Sequence, residues 1–400
     1  MTDPVVVTGV GMVTAAGIGV DAWRNLLAGR CAIGPVRSFD TGRHAAHIGA
    51  EISGFESPAG AADAGRATAF AIAAARLAIA DAGIAGAEGV SRAGVVVGTT
   101  SGEPAFVERL EDSRAAGGPS DAALRDLAVH YPGHVIPARV AHDAGFHGPA
   151  LTIPTACAAG NYAIAAAVDL LRAGRADVMI AGGADAFSRI TFTGFARLGA
   201  IAPERCQPFD RHRKGMVPGE GAGMLVLERA SRARRRGARI HAEVAGYGLS
   251  CDAFHMTGGD PAGSGAVRAM EAALTDARLP RDAVSYISAH GTGTPVNDRL
   301  EAIALGRLFG DAARRIPTSS IKSMIGHAMG AASAIEAVVC VLASRDNLIP
   351  PTIHYETPDP ECRLDCVPNA AREHEVRVAM NNAYGFGGNN ASVLFRKWES

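Results

Sequence analysis

Short, almost wholly apolar runs alternate with alanine-rich stretches along the entire chain, and this alternation constrains the fold more than any other feature. Val5 to Val7 is a β-branched run that leads through Thr8-Gly9-Val10-Gly11, read as a glycine turn, into a helical stretch near Asp21 to Leu27. The pattern recurs as predicted helices over 67–82, 104–114 and 158–172 and predicted strands over 93–98, 177–181 and 223–228. Strands that are apolar throughout are buried on both faces, which calls for helices on either side of a sheet. Beyond the arginine-rich stretch 229–239, Ala242-Glu243-Val244-Ala245-Gly246-Tyr247-Gly248 begins the opening motif again. The second half then predicts helices over 266–277, 298–309 and 328–343, and strands over 284–289, 316–320, 376–381 and 391–396. The order of elements therefore implies an α/β protein built from two similar halves, 1–239 and 240–400.

A length of 400 residues also exceeds what one compact core usually serves. With 48% hydrophobic and 20% charged residues the chain has ample core material, and a formal net charge of -1 supplies no global field for nucleic-acid binding. Seven cysteines, at 31, 157, 206, 251, 340, 362 and 366, are scattered and odd in number, which suits a reducing compartment better than a disulfide framework. The start lacks a basic segment followed by a long apolar one, so it reads as a strand and not as a signal peptide. No apolar run reaches transmembrane length. A cytoplasmic protein with no nucleic-acid and no membrane partner is expected.

Thr155-Ala156-Cys157-Ala158-Ala159-Gly160 lies where the extended segment Leu151 to Pro154 gives way to an alanine-rich helix. Cys157 thus falls at a helix N-terminus, where unpaired N–H groups and the dipole favour thiolate over thiol. Its small neighbours leave room for a thioester. Cys362 and Cys366 have no second ligand pair nearby, so no metal site is read there and both are taken as structural.

His290 ends an apolar strand and opens His290-Gly291-Thr292-Gly293-Thr294-Pro295, at a carboxyl-end loop of the kind that binds ligands in α/β proteins. His327 lies in Lys322-Ser323-Met324-Ile325-Gly326-His327, again between a strand and a long helix. Either histidine alone reads as a core or surface residue; together with Cys157 they read as a site. Lys322 and Glu336 stay open between the site and the surface. Tyr384-Gly385-Phe386-Gly387-Gly388 joins the last two strands, either as a plain hairpin or as a loop whose N–H meets an oxyanion. Gly9-Val10-Gly11 follows a strand as a dinucleotide site would, but Thr14 stands where a third glycine belongs and no acidic residue closes a second strand. The arginines of 229–239 read as a solvated connector, with a carrier-protein contact as the alternative.

Taken together, Thr155-Ala156-Cys157, His290 to Pro295, Lys322 to His327 and Asn382 to Gly388 resemble the β-ketoacyl synthase family of the thiolase fold, in its order and spacing over nearly the whole chain. Pro208-Phe209-Asp210, Gly219 to Gly223, and Asp298 with Glu301 are secondary matches. The resemblance is to the synthase II branch and to the ketosynthases of type II polyketide assembly. It implies two βαβαβαββ halves in five α/β/α/β/α layers, and a dimer with a second copy or with a chain-length-factor-like homologue. It also implies decarboxylative Claisen condensation with malonyl-acyl carrier protein, substrates arriving on phosphopantetheine and no further cofactor.

In that scheme Cys157 carries the acyl chain, and the N–H groups of Cys157 and Phe386 form the oxyanion hole. His290 and His327 hold the malonyl carbonyl and Lys322 orders them. Glu336, Asp298, Thr292 and Thr294 support the network, while Phe386 gates the cysteine on the flexible Gly387-Gly388 pair. Asn389, Arg299 and the Thr292-Gly293-Thr294 run depart from the housekeeping pattern and lean toward polyketide or polyene assembly. The alternatives are housekeeping fatty-acid elongation, a non-condensing chain-length factor, against which Cys157 and both histidines argue, and a thiolase acting on coenzyme A thioesters. An NAD-dependent oxidoreductase is the rival from another class.

Overall fold

The computed structural model describes residues 3–84, 92–118 and 120–399. Ten strands form the main path of its large sheet. The first half gives β1 (Val5–Thr14), β2 (Ala93–Gly98), β3 (Ala150–Ile153), β4 (Val178–Asp185) and β5 (Gly221–Arg229). The second gives β6 (Ala242–Cys251), β7 (Tyr286–Ser288), β8 (Thr318–Ser319), β9 (Val378–Gly385) and β10 (Asn389–Lys397). Their spatial order is β3-β2-β4-β5-β1 in the first half and β8-β7-β9-β10-β6 in the second, with parallel and antiparallel pairs at corresponding places. Each strand thus has a counterpart five strands later. The halves are also joined edge to edge, since Val6 pairs with Glu243 and Val7 with Ala242 across β1 and β6.

Five helices fill the layers: α1 (Arg66–Asp81), α2 (Ala159–Arg172), α3 (Ser264–Ala277), α4 (Pro295–Phe309) and α5 (Ala332–Asp346). The apolar strands divide their side chains between two cores, as a period of two with both faces covered requires. Val95 and Val97 of β2 join α1 in an outer core, whereas Val96 points the other way into a central core shared with α2 and α5. In β5, Met224 and Val226 face outward and Leu225 and Leu227 inward. The second half repeats this: Met380 and Leu394 pack outward with α3, Ala379 and Val393 inward. Fully burying each of these valine, leucine and methionine side chains contributes about 2 kcal/mol. The result is the layered, thiolase-like arrangement, with α2 and α5 in the middle.

Thr8 to Gly11 is no turn. It lies inside β1, where α1 crosses so closely that a Cβ on Gly9 would sit 2.0 Å from the Ala78 carbonyl oxygen, and one on Gly11 2.1 Å from that of Ala74. Gly246 and Gly248 do the same for α3, with clashes at 2.5 Å from the Ala277 nitrogen and 2.0 Å from the Ala269 carbonyl. These glycines serve helix-on-sheet contact in both halves and form no dinucleotide loop, which removes the oxidoreductase reading.

The helix expected over 328–343 is α5, delayed to Ala332 by the turn Met329–Ala331. Helices Asp121–His130, Val135–Ala144 and Arg189–Arg197 were not read from the sequence; the first buries no side chain and the second carries Pro137. The arginine stretch joins β5 to β6 as a connector, only part of which is solvated. Arg232 and Arg236 close on the buried Glu228 at 2.6 and 2.5 Å, and Arg229 donates to the Leu171 carbonyl at 3.1 Å. Cys362 and Cys366 are buried free thiols beside Phe209 and Ala289. Among the described residues, no helix is long and apolar enough to cross a membrane.

Candidate active site

β3 ends at Ile153, and four residues later the chain must turn into α2 while leaving a side chain at the cavity. It does so through Ala156, held at φ 50°, and a 3-10 turn over Ala156–Ala158. A left-handed alanine costs on the order of 1–2 kcal/mol and persists because both flanks are fixed. Close packing holds them: a Cβ on Gly98 would lie 2.3 Å from the Ala159 carbonyl carbon, and one on Gly160 2.6 Å from the Ala334 nitrogen of α5. Asn161 and Asn381 then lock α2 to β9 through two side-chain hydrogen bonds of 3.1 and 2.9 Å, and Asn381 also donates to the Ser333 carbonyl at 2.8 Å.

Cys157 is buried, and the backbone N–H groups of Cys157 itself and of Phe386 reach its sulfur. Burial pushes the thiol up to about 11, Lys322 and these two N–H groups pull it back, and the charge of Asp185 adds to the rise. At neutral pH the resting group is therefore a thiol. The expectation that the helix terminus favours thiolate is outweighed by desolvation.

His290 and His327 approach from the second half, their rings 5.5 Å apart and nearly perpendicular. One reactive atom from each of Cys157, His290 and His327 falls within 4.8 Å of the others. Burial and the positive charge of Lys322 hold both imidazoles well below their usual range, and His327 further depresses His290. Both rings are neutral. The Met329 N–H donates to Nδ1 of His327 at 3.1 Å, which places the ring hydrogen on Nε2. Such a sulfur and nitrogen set has the geometry to hold a soft cation, but the ammonium of Lys322 beside it opposes one.

The other expected residues surround this centre. Lys322 and Glu336 form a short, wholly buried ion pair; burial pushes the Glu336 carboxyl up to about 7 against the pull of Lys322. Asp298 accepts from the N–H groups of Phe209 at 2.8 Å and Gly293 at 3.1 Å, which fixes the loop after His290. The hydroxyl of Thr292 lies 2.9 Å from that of Thr294, and Thr294 caps α4 by accepting from the Asn297 N–H. Phe386, 39% exposed, leans on Phe195 at 5.5 Å between ring centres. Gly387 and Gly388 follow it with φ of 83° and 80°, so the loop is a hairpin whose first N–H also faces the sulfur. The hairpin reading holds, and the Phe386 N–H is directed at the nucleophile. A cavity of about 420 Å3 reaches these groups, with Cys157, His290 and His327, Thr292, Thr294 and Phe386 on its wall.

Three contributors were not assigned a role from the sequence. Glu301, noted only as a secondary match, accepts from the N–H groups of His290 at 2.9 Å and Gly291 at 2.8 Å; burial pushes its carboxyl up to about 8. Met329 is the second, through its backbone. Asp185, at the end of β4, is the third. An acidic residue closing an apolar strand was the one signal available for Asp185.

The family model described as the β-ketoacyl synthase N-terminal domain matches residues 2–233, and that of the C-terminal domain matches residues 241–356. The chain belongs to the β-ketoacyl synthase family. Nodulation protein E of Rhizobium sp. (strain N33) is 42% identical to this β-ketoacyl synthase over 404 residues, covering 98% of this chain and 99% of that protein. The 3-oxoacyl-[acyl-carrier-protein] synthase 2 of Staphylococcus aureus (strain COL) is 38% identical over 409 residues, covering 99% of each. Among solved structures, the ishigamide ketosynthase/chain length factor superposes with a TM-score of 0.95 at 41% identity, covering 100% of both chains. AntDE:AntF, a type II polyketide synthase acyl-carrier protein in complex with its ketosynthase, gives 0.92 at 31%, again covering 100% of both.

Proposed function

We propose that this β-ketoacyl synthase joins an acyl group held on Cys157 to a malonyl unit on an acyl carrier protein, releasing carbon dioxide and giving a 3-oxoacyl carrier thioester. One observation carries this reading: a buried thiol with two N–H groups on its sulfur shares a single small cavity with two neutral imidazoles. In the first step the Cys157 sulfur attacks the thioester carbonyl delivered on phosphopantetheine. The oxyanion is held by the Cys157 and Phe386 N–H groups, and the thiol proton leaves with the pantetheine sulfur. Malonyl thioester then enters. Its carboxylate carbon–carbon bond breaks, the electron pair moves into an enolate, and carbon dioxide departs.

Neutral rings suit that step, because each offers an N–H donor to the enolate oxygen without a proton to surrender first. For His327 the donor is Nε2. His290 supplies the second, and the charge of Lys322, anchored by Glu336, favours the anion. The enolate carbon attacks the Cys157 thioester and the sulfur leaves. Asp298, Thr292 and Thr294 hold the His290 loop, and Phe386 on its glycine pair admits the chain.

Similarity to the ishigamide ketosynthase/chain length factor and to the ketosynthase of a type II polyketide synthase supports elongation in a polyketide- or polyene-type pathway, as one member of a homodimer or of a pair with a chain-length-factor-like homologue. Similarity to 3-oxoacyl-[acyl-carrier-protein] synthase 2 supports fatty-acid elongation as the second reading. The presence of Cys157 speaks against a non-condensing subunit. The unpaired cysteines suit a reducing, cytoplasmic setting, and the proposed chemistry calls for no cofactor beyond the carrier's arm.

Intact-mass analysis of wild type and Cys157→Ala after mixing with a panel of acyl carrier thioesters tests the first step. Acyl mass on the wild type alone is expected, and the preferred chain names the pathway; equal labelling of both proteins would remove Cys157 as the acceptor.

A further inference from the structure

Asp185 ends β4 as a carboxylate 1% exposed, and the scheme above leaves it unused. Four donors converge on it. Oδ1 accepts from the Thr99 hydroxyl at 2.7 Å and the Ser101 N–H at 3.1 Å, and Oδ2 from the Thr100 N–H at 2.8 Å and the Gly330 N–H at 2.6 Å. The Thr99 hydroxyl itself accepts from the Gly102 N–H at 2.9 Å, so its own hydrogen is committed to Asp185. A carboxylate accepts on both oxygens, whereas an amide would turn its NH2 against one pair of donors.

The two segments so held both adjoin the site. Residues 99–101 follow β2, whose end abuts the Cys157 turn, and Gly330 lies in the turn Met329–Ala331. That turn is pressed home, since a Cβ on Gly330 would sit 2.6 Å from the Thr100 nitrogen and 2.7 Å from Oδ2 of Asp185. Its first residue provides the N–H that orients His327. Burial raises both Cys157 and Glu103, the charge of Asp185 adds to each, and burial pushes Asp185 itself up to about 6 against its four donors.

We propose that Asp185 is a positioning residue for the condensation: by clamping the 99–101 loop to the Met329–Ala331 turn it sets the ring of His327, while its buried negative charge acts at a distance on the nucleophile. This rests on the condensing reading above. The two effects have opposite signs, because the clamp promotes decarboxylation and the charge restrains ionisation of the thiol.

Asp185→Asn and Asp185→Glu, compared with wild type, separate them through two readouts. One is iodoacetamide alkylation against pH, followed by peptide mass at Cys157; the other is carbon dioxide release from malonyl carrier protein. In Asp185→Asn the alkylation midpoint is expected to move to lower pH by about half a unit or more, while carbon dioxide release falls about tenfold or more. Asp185→Glu keeps the charge, so its midpoint stays and only release falls. Should Asp185→Asn fail to fold, the glutamate variant carries the test alone. Release within about twofold of wild type in either folded variant, or an alkylation midpoint in Asp185→Asn that stays or rises, overturns the proposal. A wild type that releases no carbon dioxide sinks the condensing reading instead, and the alkylation midpoint still reports on Asp185.

Discussion

The ammonium of Lys322 meets one carboxylate oxygen of Glu336, both side chains sealed from solvent, and the second carboxylate oxygen has no hydrogen-bond partner among the described residues. Removing one member of such a pair leaves an uncompensated buried charge and costs about 3–5 kcal/mol. Lys322→Met should fall in that range by chemical denaturation. Lys322→Met/Glu336→Leu should recover most of the loss and still release carbon dioxide from malonyl carrier protein about a hundredfold more slowly. A double variant that decarboxylates at the wild-type rate would take Lys322 out of the chemistry.

The histidines divide the reaction into halves. His290→Ala and His327→Ala should still accept an acyl group on Cys157, because the proposed oxyanion donors are the N–H groups of Cys157 and Phe386, which face the sulfur. Decarboxylation should drop about 10²- to 10³-fold in each. Rapid-quench measurement of both steps checks this, and equal losses in acylation and decarboxylation would contradict it.

Both imidazoles are neutral in the folded chain, whereas in the unfolded chain they bind protons below about pH 6.5. The unfolded state then holds more protons, so the stability they allow is full above that pH and is lost as pH falls below it. Melting temperature should therefore drop more steeply between about pH 7.5 and 5.5 in wild type than in His290→Gln/His327→Gln. Parallel curves would mean that the rings are not held neutral.

The glycine pair after Phe386 offers a contrast within one loop. A Cβ on Gly388 would meet Asp252 Cβ at 2.9 Å and its nitrogen at 3.0 Å, whereas one on Gly387 meets only the Asn389 amide, at 3.3 Å. Gly388→Ala should displace the Phe386 N–H from the sulfur and slow acylation about 10²-fold or more, while Gly387→Ala bears mainly left-handed strain of roughly 1–2 kcal/mol. Acylation rates of the two variants decide it; equal rates would mean that the loop does not position the oxyanion donor.

How far the sequence reached follows from where each signal lies. The strands and the long helices were legible because their apolar periods are local, and Cys157, His290 and His327 because each sits at a strand-to-helix junction within a motif. Gly9 and Gly11 were misread as a turn, since only the crossing of α1 some 60 residues later reveals why side chains are excluded there. Asp185 stayed hidden for a related reason: three of its four donors are backbone N–H groups, which leave no trace in residue identity. The thiol's resting state was misjudged because helix position is written in the sequence and burial is not.

In the proposed reaction, carbon–carbon bond formation is driven by decarboxylation at the neutral histidine pair. Wild type pre-acylated on Cys157 and mixed with malonyl carrier protein labelled in its free carboxylate tests it in a single turnover. Labelled carbon dioxide and 3-oxoacyl carrier protein are expected in equal amounts, with neither formed by His290→Ala/His327→Ala. A 3-oxoacyl product that retains the label, or one that forms without carbon dioxide, would contradict it.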